Sequence, residues 1–98
     1  MSKYTPDNWV VIDLSSPEHG EIKKVLAGWT GSYTDSDYWK LNSGITETRD
    51  MGDYYEFDGY SGSTYICYKN RQHLSLIMSD VFIQIEKAYP TAKIINYE

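Results

Sequence analysis

Ninety-eight residues, 41% of them hydrophobic, define a chain that buries about 60–65% of its unfolded surface, so a single domain over residues 1–98 is expected. Fourteen acids against nine bases give a net charge of -5; this lacks the basic footprint that phosphate contact requires and predicts no nucleic-acid partner. A lone cysteine, Cys67, excludes an internal disulfide framework and any zinc knuckle built on several cysteines.

The opening MSKYTPDN carries no apolar stretch behind its lysine and no glycine at position 2. The strongly apolar runs, VVI at 10–12 and LIM at 76–78, fall far short of the ~20 residues of a membrane span. No signal peptide, membrane partner or lipid anchor is therefore expected, and the predicted location is cytoplasmic. Trp9–Leu14 reads as the first strand, with Val10, Ile12 and Leu14 on one face and Trp9 and Val11 on the other. Pro17 and Gly20 punctuate a turn before a second strand over Glu21–Trp29. In that strand Val25, Ala27 and Trp29 share a face with Lys23, while Ile22, Lys24 and Leu26 form the other. A short strand around Tyr38–Leu41 follows a polar connection, and alternation resumes over Ile45–Met51. MGD at 51–53 predicts a hairpin turn into Asp53–Asp58, and Thr64–Lys69 supplies a further aromatic, β-branched strand.

The period then changes from two to 3.6. Apolar residues at 74, 77, 78, 81, 82, 85, 88 and 89 predict a helix that Pro90 ends. Val81–Tyr89 is its firmest part, because Ser79–Asp80 would make a good cap and HLSLIM also reads as a short strand. The tail TAKIINY predicts a short final strand at a sheet edge. The expected fold is α+β: a twisted antiparallel sheet of about five to six strands with one C-terminal helix packed on one face.

Charge and aromatics concentrate in the middle of the chain. Ser32–Tyr60 holds seven acids against Lys40 and Arg49, so its charge equals that of the whole protein. Tyr33, Tyr38, Trp39, Tyr54, Tyr55, Tyr60, Tyr65 and Tyr68 overlap it. Tyrosine joins broad apolar contact to a polar end, which suits interface centres. A partner face built from Tyr33, Asp35, Asp37, Tyr38, Asp53, Tyr54, Glu56, Asp58 and Tyr60 is expected. GWTGS at 28–32 returns as GYSGS at 59–63. Two similar turns explain the echo, and no lysine follows either copy in the manner of a phosphate loop. Trp29, Trp39 and Tyr60 are the candidates for the alternative, a small-ligand or carbohydrate site.

Chemistry is sparse. His19, His73 and Cys67 show no metal-ligand or nucleophilic spacing, and the pairs Asp35/Asp37 and Glu56/Asp58 lack the context of a cation loop. No catalytic residue, metal or cofactor is assigned. The run GWTGSYTDSDYWKLNSGI, with DYYEFDGYSGSTYICY after it, resembles small proteins of marine T4-like tailed bacteriophages. That resemblance implies expression in a bacterial host's cytoplasm and supplies no catalytic residues. The expected function is a small non-enzymatic protein-interaction or modulator protein, with self-association through a sheet edge or the helix stripe as a second expectation.

Overall fold

The computed structural model describes residues 2–31 and 37–97. Its elements are β1 (Lys3–Tyr4), β2 (Asn8–Asp13), β3 (Lys23–Trp29), β4 (Tyr38–Leu41), β5 (Ile45–Asp50), β6 (Tyr54–Gly59), β7 (Thr64–Tyr68), α1 (Leu76–Ala88) and β8 (Lys93–Ile95). A single 3-10 turn, Lys69–Arg71, leads from β7 towards α1. The class is α+β. The described strands number eight rather than five to six, and they divide between two sheets, ordered β1-β7-β6-β5 and β4-β3-β2-β8. All pairs are antiparallel except the short parallel β1–β7 contact.

Two sheets form because both faces of β2 and β3 are apolar and each needs a cover. Trp9, Val11, Val25 and Ala27 meet Tyr55, Phe57, Tyr65 and Cys67 of the first sheet, making an inter-sheet core. Val10, Ile12, Leu14 and Leu26 face the other way, and Met78 of the helix packs on them. The order is therefore sheet, sheet, helix. Tyr55 and Tyr65, with 6% and 4% of their surface exposed, lie inside this sandwich rather than on an outer face. The Trp9 indole N–H crosses the core to donate to the Tyr68 carbonyl at 2.7 Å. Around it, Tyr55, Phe57 and Tyr97 pack edge-on or tilted with ring centroids 5.6–6.4 Å from that of Trp9.

The helix begins at Leu76, with Ser75 as its cap position, five residues ahead of the firmest sequence reading. Burial decides this: Met78 is fully enclosed, and Ile77, Val81, Phe82 and Ile85 continue its stripe on the second sheet. That stripe is consequently occupied by the chain's own core. Gly28 lets the helix come close, since a methyl group there would lie 2.6 Å from the Met78 sulfur. The hairpin at 51–53 is present, closed by the Met51 N–H donating to the Tyr54 carbonyl and by Gly52 at φ +94°. The predicted tail strand is β8, which completes the second sheet by pairing with β2. No helix among the described residues is long and apolar enough to cross a membrane.

Candidate functional site

Because the helix covers the second sheet, the outer face of the first sheet has no layer packed on it among the described residues. Tyr55, Phe57, Tyr65 and Cys67 point into the core, so their strand neighbours Tyr54, Glu56, Asp58, Thr64, Ile66 and Tyr68 point out. Register sets Tyr54 opposite Tyr68, Glu56 opposite Ile66 and Asp58 opposite Thr64. From β5, Glu47 stands across from Asp58, and Arg49 across from Glu56. The face thus has an aromatic end and a charged end.

The aromatic end is the Tyr54–Tyr68 pair, with ring centroids 5.1 Å apart. At the charged end Arg49 is the hub. Its Nη1 and Nη2 donate in a fork to the two Asp58 oxygens at 2.7 and 2.8 Å. Nε donates to Glu56 at 3.1 Å, and Nη1 also donates to Glu47 at 2.7 Å. Thr64 Oγ1 donates to Asp58 at 2.8 Å. The hydrogen bonds from Arg49 and Thr64 hold the Asp58 carboxyl down to about 2. Donating to Asp58 and then to Glu56 pushes the Arg49 guanidinium pKa further up. Partly exposed ion pairs contribute little to stability. A bidentate fork tied to three carboxylates does fix where the guanidinium sits.

The acidic face is correspondingly less acidic than the sequence suggests. Glu47, Glu56 and Asp58 surround one guanidinium, leaving a surplus of two negative charges. Asp50 is likewise paired, to Lys69 at 2.8 Å, and that contact lowers its pKa. Among the sequence candidates, the sheet brings together Tyr54, Glu56 and Asp58, with Asp53 exposed in the adjoining hairpin turn. Tyr60 is elsewhere, 76% exposed in the β6–β7 turn with its ring near Gly44. Asp37 and Tyr38 belong to the edge of the second sheet. There Asp37 accepts from the Gly31 N–H, and Tyr38 stacks on Trp29 at 4.9 Å with planes 6° apart. Tyr33 and Asp35 lie outside the described residues. Sequence reasoning missed Arg49, Glu47, Ile66 and Tyr68 as members of one patch, because only the register of β5, β6 and β7 collects them.

The alternative ligand trio does not form one cleft. Tyr38 and Trp39 are consecutive in β4, opposite Trp29 and Gly28, so Trp29 and Trp39 project from opposite faces of the sheet. Tyr60 contacts Gly44, beyond the far end of β4. The Gly-aromatic echo does two structural jobs: Gly28 admits Met78, and GYSGS makes the β6–β7 turn with Gly62 at φ +92°. Cys67 is fully buried in β7, and burial pushes its thiol pKa well up. No cluster of three or more potential metal-ligating side chains occurs among the described residues. Comparisons with protein-family models, curated proteins and solved structures find no match to this chain.

Proposed function

We propose that this protein is a non-enzymatic interaction module that binds a basic partner protein through the outer face of its first sheet. The observation that carries the reading is the uncovered Tyr54–Tyr68 pair beside the fixed Arg49 cluster. Two rigid rings offer apolar contact at low entropic cost, and a positioned guanidinium among three carboxylates offers directional polar contact. The surplus of two negative charges selects for lysine or arginine on the partner. The same surplus repels a second copy docked face to face, so the partner is a different protein. The resemblance to phage proteins makes the cytoplasm of a bacterial host the first place to seek it.

The test places a photo-crosslinking phenylalanine at position 54 or 68, and at the exposed helix position Ile83 as control, in host lysate. A single discrete adduct from 54 and 68, absent from 83 and lost with Glu56→Gln/Asp58→Asn, is expected. Equal labelling from all three positions, no adduct, or an adduct that is a second copy of this chain would overturn the reading.

A further inference from the structure

On the opposite side of the molecule the helix and the second sheet part company. They are tightest at Gly28, where Met78 is fully buried. Going back along the same face of β3, through Leu26 to Lys24, the helix approaches its C-terminal end and the contact opens into a cleft of about 250 Å³. Leu14, Ile22 and Leu41 form the sheet-side wall, and Ile85 and Tyr89 form the helix side. Two side chains in this otherwise apolar lining carry nitrogen: Lys24 from β3 and His19 from the turn before it.

We propose that this cleft binds a small monocarboxylate with a compact apolar body, the Lys24 ammonium holding the carboxylate. This site is separate from the partner face and does not depend on it. Charge complementarity selects the ligand. Among the described residues no carboxylate lies within 4.0 Å of the Lys24 nitrogen, whereas its neighbour Lys23 is paired with Glu21 at 2.8 Å. A lysine stem passing along an apolar wall to reach water would explain Lys24 alone. It leaves unexplained why the wall beside it is an open apolar recess. A carboxylate there converts a solvated ammonium into a charge-assisted pair while the apolar body fills the recess. Size narrows the class further. An apolar cavity of about 150 Å³ accommodates benzene, so the larger cleft has room for one ring and a short chain.

The probes are 3-phenylpropanoate and its neutral counterpart 3-phenylpropan-1-ol, titrated into the full chain at pH 7 and followed by amide chemical shifts. Saturable binding of the carboxylate is expected with a Kd of about 1 mM or tighter, the range for a ligand of this size. Shifts should concentrate at Ile22, Lys24, Leu41, Ile85 and Tyr89, and the carboxylate should bind about ten-fold tighter than the alcohol. Lys24→Met should erase that preference while the alcohol still binds. Lys24→Gln is the second variant, and Leu41→Trp should block both ligands by filling the recess. Non-saturating shifts, equal affinity for acid and alcohol, or an undiminished preference in the lysine variants would overturn the assignment.

Discussion

Replacing Gly28 with alanine should destabilise the protein, and removing Met78 should reverse the sign of that effect. The new methyl would lie 2.6 Å from the Met78 sulfur, 2.9 Å from its Cγ and 3.4 Å from the Ser75 hydroxyl. Ordinary contact begins near 3.5 Å, so the sulfur must retreat by about 1 Å. Met78 has no exposed surface into which to retreat, and overpacking of this kind costs about 1–3 kcal/mol. Alanine in a strand recovers about 0.5–1 kcal/mol through the reduced freedom of the unfolded chain. Gly28 lies in the left half of φ space, so this gain carries no backbone penalty. The net expectation is a loss of about 1–2 kcal/mol. Met78→Ala alone should cost about 2–5 kcal/mol by opening a cavity. In that background the clash is gone, and Gly28→Ala should stabilise by about 0.5–1 kcal/mol. The coupling is then on the order of 2 kcal/mol. Urea unfolding followed by tryptophan fluorescence measures all four proteins, provided their m-values agree. If Gly28→Ala is neutral or stabilising in the native background, or costs the same in both, the helix does not seat on this glycine as described.

Two further outcomes follow from the charges and from burial. Asp58 is held at about 2, below its ordinary 3.8, so its contribution is complete above about pH 5 and is lost as pH falls through 2. The difference in Tm between the native protein and Asp58→Asn should therefore be constant above about pH 5 and shrink from pH 4 to 2; a difference that grows on acidification would contradict the Arg49 fork. Cys67 should react with a thiol reagent only at the rate at which the sandwich opens, faster with added urea, whereas immediate stoichiometric labelling in native buffer would place it outside the core.

The period-two patterns of Trp9–Leu14 and Glu21–Trp29 already showed apolar residues on both faces, which is the mark of strands covered twice. The second sheet was hidden because tyrosine reads equally well as core or surface. Only pairing shows that Tyr55 and Tyr65 accompany Phe57 and Cys67 inward while Tyr54 and Tyr68 turn out. Strand β1 was illegible, since Lys3 and Tyr4 have no pattern of their own and are held by Thr64 and Tyr65 from far along the chain. The helix start turned on whether Leu74–Met78 was a short strand or the first turn of the helix, and the burial of Met78 against Gly28 settled it. Summing charge over Ser32–Tyr60 could not show how the acids divide between the two sheets or that three of them share Arg49, which meets Asp58 only through hairpin register. Lys24 stood out as a charge on the Ile22–Leu26 face. Its recess could not be foreseen, since its walls come from five separate segments.

The place of β2 also dictates the order in which the molecule can be finished. One edge of β2 is taken by β3 nearby, but the other waits for β8, with Val11 meeting Ile95 from almost the opposite end of the chain. The hairpins β3–β4, β5–β6 and β6–β7 are local and close quickly, whereas this last pairing carries the largest loop-closure cost. During synthesis, Val11 and Ile12 therefore keep one open hydrogen-bonding edge until Lys93–Ile95 has been made. A three-residue strand thus acts as the seal on an apolar segment, and the nascent chain stays open to aggregation at this edge until β8 has paired.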